Sequence, residues 1–247
     1  MSDLTVLMTG ATGLLGRALT EHLADRPGTR LLAVGRSSSD EERCAAVTAA
    51  HRVLHLAGVT RAADPAEFTS GNIGTTEELA EVIARTGRVT PIAFASSIRA
   101  SEPTIYGQTK RAAEDILIRL AERIDAPLAV FRLPSFFGVW SRPDYNSAIA
   151  TFCHDALQGR PSSVRHPDAS ITLVHLDDVV RAFDAWIGSP APGVTFPDVG
   201  PTYSASVGEA ARLIHSFTDP KNAGAAAEHE SGLVRGLYQT FRAHQER

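Results

Sequence analysis

The sequence predicts an α/β protein on a doubly wound parallel sheet, with a small lobe toward the C-terminus. Three observations carry that expectation. Short apolar runs alternate with helical stretches over residues 1–134 and again at 171–188, the rhythm of βαβ units. The first run, Leu4–Met8, has no polar face, as expected of a strand covered by helices on both sides. A glycine-rich turn follows it directly and opens the next helix.

The elements follow in order. After Leu4–Met8 a helix runs from Leu14 to about Ala24, and Arg30–Val34 is the second strand. Residues 38–51 form a short helical or irregular passage. RVLHLAG, 52–58, is the third strand. TTEELAEVIARTG, 75–87, repeats its apolar residues with a helix's period and ends at a glycine. TPIAFASS, 90–97, is a strand, residues 106–124 a long helix, and PLAVFRLP, 127–134, a strand stopped by Pro134. Residues 135–170 break the rhythm with Pro, Ser, Arg and aromatics, and read as a substrate-binding lobe. ITLVHLDDVVRAFDAWIG, 171–188, returns to strand and helix, with Asp177 or Asp178 as N-cap. Beyond Ser189 lie a helix near 206–216, a polar Ala-rich stretch at 219–232 and a last short helix. The expected domains are a nucleotide-binding core of 1–134, to which 171–188 returns, and a lobe and tail of 135–170 and 189–247.

Bulk composition narrows the classes. The chain has 247 residues, enough for one domain of this kind with a minor lobe; 43% are hydrophobic and 21% charged. A net charge of −4 gives no reason to expect nucleic acid or an anionic membrane as partner. Two cysteines, Cys44 and Cys153, are too few for a disulfide framework. The N-terminus reads as a strand rather than a signal peptide, and no apolar run reaches membrane length. A cytoplasmic protein is expected.

TGATGLLG places Gly10, Gly13 and Gly16 between the first strand and its helix. That context suits dinucleotide binding in a Rossmann-type sheet: a tight turn, room for backbone N–H groups near a pyrophosphate, and close helix packing. Glycines after a strand also serve as plain turns. The second strand ends in AVGRSSSD. An acidic residue there would suit the ribose hydroxyl of NAD, whereas Arg36, followed by Ser37 and Ser38, suits the 2′-phosphate of NADP(H). NAD(H) stays open as an alternative, as does a plain surface arginine.

ASSIRASEPTIYGQTK, 95–110, sets Ser96 and Ser97 just before a helix that carries Tyr106 and Lys110 at i and i+4, hence on one face. A phenol has a reference pKa of about 10, and a neighbouring ammonium lowers it. Lys110 is expected to do this to Tyr106 while holding the cofactor ribose, and a serine hydroxyl to bind the reacting substrate oxygen. Read alone, Tyr106 is an amphipathic surface residue and Lys110 a solvated charge. Together with the glycine loop they read as a catalytic set.

With TGATGLLG, HLAG (55–58), GNIGTTEEL (71–79), SS, YGQTK and VHLDDVV in this order, the chain resembles the extended short-chain dehydrogenase/reductases, the NAD-dependent epimerase/dehydratase family. The resemblance spans roughly residues 4–190. It implies Tyr106 as general acid/base, Lys110 as its activator, Ser97 rather than Ser96 as the substrate-oxygen donor, and Asn72 as an ordering residue. The cofactor contacts it suggests are Gly10, Thr12, Gly13, Leu14, Leu15 and Gly16, then Arg36, Ser37, Leu56, Ala57, Gly58, Tyr106, Lys110 and Leu133. Substrate contacts are expected from Ser97, Arg99, Trp140, Arg142, Tyr145 and Asn146. The aromatic and arginine side chains of that lobe would stack on a base and pair with a diphosphate, or else pack the lobe's own core.

HLAGVTRAADPAEFTSGN, FRLPSFFGVWSRPDYNSAIATFCHDAL and ITLVHLDDVV resemble more narrowly the reductase half of bacterial capsule and O-antigen enzymes. Those reduce the 4-keto group of UDP-2-acetamido-2,6-dideoxy-hexos-4-uloses with NADPH and carry a C-terminal cupin domain. The tail GLVRGLYQTFRAHQER resembles their joining segment, so the cupin is expected to be truncated, absent or a separate partner. The family resemblance also implies a homodimer formed through the helix bearing Tyr106, whose apolar stripe includes Ala113, Ile116, Leu117, Leu120 and Ile124.

Two departures bear on cofactor and substrate. The family's Asp-hydrophobic pair after the third strand, which touches adenine, is missing. Ile171 stands where many epimerases have an arginine, which argues against a generic UDP-hexose 4-epimerase. The alternatives are a nucleotide-sugar epimerase or dehydratase with tightly held NAD, and a non-catalytic NADP-binding regulator. Nine histidines without a zinc motif give no reason to expect a metal. His55 and His175 read as core histidines, Cys153 as core, and no hydrolase elbow is present.

Overall fold

A computed structural model describes residues 3–139, 141, 143 and 147–246. The candidate substrate residues Trp140, Arg142, Tyr145 and Asn146 lie outside the described residues. In chain order the strands are β1 (Leu4–Thr9), β2 (Thr29–Val34), β3 (Arg52–His55), β4 (Ile92–Ser97), β5 (Leu128–Leu133), β6 (Ser135–Phe137), β7 (Ser170–His175), β8 (Val194–Thr195) and β9 (Thr202–Ser206). The α-helices are α1 (Leu14–Ala24), α2 (Asp40–Ala49), α3 (Pro65–Phe68), α4 (Thr75–Thr86), α5 (Ile105–Ile124), α6 (Ala148–Leu157), α7 (Leu176–Gly188), α8 (Val207–Ser216), α9 (Pro220–Ala227) and α10 (Gly232–Gln245). The chain divides into two compact units, residues 1–133 with 180–199, and residues 134–179 with 200–247.

The first unit is a six-stranded sheet in the order β2-β1-β3-β4-β5-β8, all parallel. The chain winds outward from β1 to β2, then crosses back to β3 on the other side of β1. The carboxyl ends of β1 and β3 therefore sit where the winding reverses, the place at which open α/β sheets take ligands. Leu7, Val53, Phe94 and Val130 on the sheet pack with Leu79 and Ile83 of α4 and with Ala113, Leu117 and Leu120 of α5. The apolar stripe of α5 is thus largely turned into this core, with Ile116 and Ile124 only partly buried against it. Truncating a residue as buried as Leu117 to Ala would cost about 2–5 kcal/mol.

Caps place the helices. Ser39 and Glu42 close a capping box on α2, resolving the ambiguous 38–51 stretch as a helix. The helix expected at 75–87 is α4, Thr75–Thr86, and a helical passage the periodicity does not show leads into it. Asp64 and Glu67 cap α3 with Pro65 in its first turn, and a π-helical turn, Thr69–Gly74, joins α3 to α4. The wider turn breaks the 3.6-residue period that identifies a helix in sequence, and such turns gather at functional sites.

The second unit has a small sheet in which β7 pairs with β6 in parallel and with β9 in antiparallel fashion. Phe137, Phe152, Phe217 and Phe241 are among its core residues. The structure differs here from the expected domain division. Residues 171–175 extend the small sheet instead of returning to the core, and residues 189–199, expected in the lobe, bring β8 to the edge of the main sheet beside β5. Neither strand carries a signal of which edge it will join. Asp177 and Asp178 lie inside the first turn of α7 rather than capping it, because His175 Nδ1 accepts the Asp177 N–H at 3.3 Å. Part of the Ala-rich 219–232 stretch is α9, capped by Asp219. Among the described residues no helix is long and apolar enough to cross a membrane.

Candidate active site

The end of β1 turns at Gly10, whose φ of +72° is open to glycine at little cost. A side-chain carbon there would also sit 2.6 Å from the backbone nitrogen of Ala57. The turn is thereby pressed against Leu56 and Ala57, just beyond β3, and Ala57 N–H donates to Thr9 Oγ1 at 3.2 Å. Thr9 Oγ1 also meets His55 Nδ1 at 2.7 Å, and His55 Nε2 meets Thr76 Oγ1 at 2.9 Å. Burial pulls the pKa of His55 down to about 3, so it is a neutral structural link between β1, β3 and α4.

Gly13 is the N-cap of α1, with Leu14, Leu15 and Gly16 in its first turn. No side chain caps this helix and no acidic residue lies in its first turn. By contrast Ser39, Thr104, Ser147 and Ser206 cap α2, α5, α6 and α8 with side-chain oxygens. The first-turn N–H donors of α1 thus have no side-chain partner, and a dinucleotide pyrophosphate suits them. Thr12 is exposed beside them, its carbonyl accepting from Arg17 Nε at 3.0 Å. At the end of β2, Arg36 and Ser37 are exposed on a turn closed by Ser38 N–H donating to the Gly35 carbonyl at 3.1 Å. Arg43 Nη2 also donates to that carbonyl, at 3.2 Å.

The carboxyl end of β4 brings the predicted catalytic residues together. Its two serines part company. Ser96 donates its hydroxyl to Glu114 Oε1, while the Ser97 hydroxyl accepts from Arg99 N–H at 3.2 Å and pulls the Tyr106 pKa down. Tyr106 reaches Ser97 because of Gly107: a side-chain carbon there would lie 2.2 Å from the Arg99 carbonyl and 2.6 Å from that of Glu102. The start of α5 can therefore settle directly on the 3-10 turn Ile98–Ser101 that follows Ser97. Phe68 packs near the Tyr106 ring, with centroids 6.0 Å apart, and the Arg99 guanidinium lies 5.6 Å from the ring centre.

Lys110, one turn along α5, is buried, and its ammonium donates to the Ala95 carbonyl at 2.7 Å. It also stands 4.3 Å from the centre of the Phe94 ring. Burial lowers its pKa to about 7, against an opposing pull from Glu114. Asn72, presented by the π turn, accepts from Val59 N–H at 2.8 Å and donates to the Val59 carbonyl at 3.1 Å and to Thr109 Oγ1 at 3.0 Å. It locks the segment after β3 onto α5. A carbon on Gly58 would be 2.8 Å from Asn72 Oδ1 and 3.7 Å from Lys110 Nζ, so the β3 end and Lys110 are neighbours. Leu133 stands beside Ser97 in the register of β4 and β5.

The Tyr106 pKa is raised, mainly by burial, with downward pulls from Ser97 and Arg99. Gly107, Thr109, Ala95 and Phe94 were not among the expected site residues. Only the glycine beside the tyrosine left a trace in sequence. A cavity of about 470 Å³ in the second unit is lined by Leu157, Phe217, Tyr238 and Phe241 among others, and holds none of the candidate residues. Among the described residues no group of three or more His, Cys, Asp or Glu is placed to hold a metal.

Comparison with known proteins extends this picture. Residues 6–199 match the model of the NAD dependent epimerase/dehydratase family. Over 236 residues the chain is 42% identical to a UDP-2-acetamido-2,6-beta-L-arabino-hexul-4-ose reductase of Pseudomonas aeruginosa, covering 96% of this chain and 63% of that protein. The crystal structure of capsular polysaccharide assembling protein CapF from Staphylococcus aureus superposes with a TM-score of 0.84 at 26% identity, over 98% of this chain and 65% of CapF. The fold is also that of MoeE5 in complex with UDP-glucose and NAD, with a TM-score of 0.83 at 21% identity and coverage of 98% and 99%. The chain thus spans a little under two thirds of the reductase and of CapF. With its matched residues and its doubly wound sheet, this chain belongs to the NAD dependent epimerase/dehydratase family.

Proposed function

We propose that this chain is an NADPH-dependent reductase of the 4-keto group of a nucleotide-activated deoxy sugar, of the UDP-4-keto-6-deoxy-HexNAc type. The observation that carries the reading is the meeting of Ser97, at the carboxyl end of β4, with Tyr106 at the start of α5, whose phenol Ser97 draws toward ionisation, with Lys110 one turn further on the same helix. The 42% identity to a UDP-sugar reductase supports the substrate class. When bound, reduced nicotinamide supplies the hydride for the carbonyl carbon.

The chain's own residues do the rest. The uncapped start of α1 binds the cofactor's pyrophosphate, and Arg36 with Ser37 grips a 2′-phosphate by charge-assisted hydrogen bonds. The segment Leu56–Gly58 and Leu133 flank the cofactor. Lys110 has donors beyond the one used on Ala95 and offers them to the ribose. Ser97 already accepts from the Arg99 N–H, which leaves its own hydroxyl hydrogen to donate to the substrate oxygen. Tyr106 delivers the proton to that oxygen as charge grows on it. Arg99 contacts the nucleotide sugar. Ile116 and Ile124, only partly buried on α5, support a homodimer, which light scattering tests.

The test is a single-turnover assay of NADPH oxidation with UDP- and dTDP-linked 4-keto sugars. Oxidation with one of them, yielding the alcohol, is expected. NADPH binding without oxidation of any of them would favour a regulator. Copurifying NAD with epimerised product would favour an epimerase.

A further inference from the structure

The 3-10 turn that follows Ser97 keeps a large apolar side chain in the open. Ile98 is 43% exposed, although Ala100 in the same turn is buried. The sheet fixes its place. Ser97 and Leu133 form the last pair in the register of β4 and β5, and Ile98 stands one residue beyond it. That is the carboxyl edge, where open α/β sheets take ligands. The turn is also held in shape. Ser97 Oγ accepts the Arg99 N–H at 3.2 Å, and Ser101 Oγ donates to the Ile98 carbonyl at 3.0 Å. Gly107 lets α5 press on the Arg99 and Glu102 carbonyls of the same passage. We propose that Ile98 is a specificity-determining residue: its side chain packs on the C6 methyl of the sugar whose C4 oxygen Ser97 binds. The inference rests on the reading of this chain as a reductase of 6-deoxy sugars.

A single exposed isoleucine is ordinary on a protein surface, so its neighbours must give it a task. Among the described residues of the first unit, Val89, Ile105 and Phe196 are the other exposed large apolar side chains. Val89 precedes β4 and so lies at the opposite edge of the sheet. The Phe196 ring centre is 4.9 Å from the Arg132 guanidinium, which it covers. Ile105 shares its face of α5 with Thr109, whose hydroxyl accepts from Asn72 in the π turn at 3.0 Å. Ile98 is the one that adjoins Ser97. In the sugar, C6 hangs from the carbon next to C4, so a carbonyl held at Ser97 brings C6 close to the adjoining residue. A methyl group against isoleucine takes apolar surface of both partners out of water. A hydroxymethyl group there would lose water at its hydroxyl and find no hydrogen-bond partner on the side chain. Ile98 thus favours the 6-deoxy sugar over its 6-hydroxy counterpart.

The test compares two saturated sugar nucleotides that NADPH cannot reduce and that differ only at C6. They are UDP-2-acetamido-2,6-dideoxyglucose and UDP-N-acetylglucosamine. Calorimetry of the full chain with NADPH present should show the 6-deoxy ligand binding about tenfold or more tightly. Ile98→Thr keeps the branch at Cβ and puts a hydroxyl in the wall, and the preference should fall to about threefold or less. Ile98→Val should retain most of the preference, and Ile105→Thr all of it. Equal affinities in the wild type overturn the proposal. So does a preference unchanged in Ile98→Thr, or one lowered as much by Ile105→Thr. Binding of neither ligand would instead remove the sugar-nucleotide reading, and the inference with it, so the two failures are distinguishable.

Discussion

Lys110 and Glu114 are both buried one turn apart on α5, yet their surroundings differ. Glu114 is fully enclosed and fully partnered. Arg132 donates to it through Nε at 3.0 Å and Nη2 at 2.7 Å, and the Ser96 hydroxyl donates as well. Lys110 has three donors to place and gives one to the Ala95 carbonyl, with the Phe94 ring close by. A saturated buried charge ties β4, β5 and α5 together. An under-partnered one has donors in reserve and a pKa drawn down to about 7, where it gains or loses a proton easily. The contrast separates the part of α5 that holds the sheet from the part that faces the chemistry, and four measurements test it.

The largest effect is expected on the chemical side. Tyr106→Phe keeps the ring and its packing near Phe68, so the melting temperature and NADPH affinity should hold while turnover falls by about 10²–10⁴. Single-turnover NADPH oxidation at the wild-type rate would remove Tyr106 from the reaction. On the structural side, Glu114→Gln leaves the Arg132 fork without its carboxylate. Breaking a buried pair in this way costs about 3–5 kcal/mol, to be read from denaturant unfolding. A variant as stable as the wild type would erase the difference between the two turns of α5.

The next effect lies at the cofactor end. Arg36→Ala removes a charge-assisted phosphate contact, and NADPH should bind about tenfold to a hundredfold more weakly, with NADH little changed. Equal loss for both cofactors, measured by calorimetry, would separate Arg36 from the 2′-phosphate. The smallest effect is a slope. The folded-state pKa of Lys110 lies at about 7, below its usual 10.5. Between those values the unfolded chain binds the extra proton, so stability rises with pH, by at most about 1.4 kcal/mol per unit. Lys110→Met should flatten that rise relative to the wild type. Parallel stability curves would mean that Lys110 is solvated and the contrast with Glu114 unfounded.

Much of this was legible in the chain itself. TGATGLLG after an apolar strand marks both the sheet and the cofactor turn, because only a strand leading into a glycine turn and a helix presents free N–H groups there. Tyr106 and Lys110 declare a common face through their spacing, since helical geometry is local. The helices at 14–24 and 105–124 could be placed from periodicity within a residue or so. The π turn at Thr69–Gly74 escaped, because its wider winding disrupts the period that would reveal it. Residues 171–175 and 194–195 were assigned to the wrong unit, because a strand's composition does not name its neighbours.

Within the site the division follows the same line. Residue types and their spacing on one element determine which groups exist and which face they share, and for this protein that is Gly10 to Gly16, Arg36, and Tyr106 with Lys110. Contacts between elements distant in sequence decide what each group does. Ser96 turns to Glu114 while Ser97 turns to Tyr106, although the two are adjacent and identical. Asn72 reaches Thr109 across thirty-seven positions of chain. Lys110 meets the carbonyl of Ala95, and Arg99 comes to stand by the Tyr106 ring. Hydrogen bonds and burial act over a few ångströms of space, and only the folded chain brings such residues within that range.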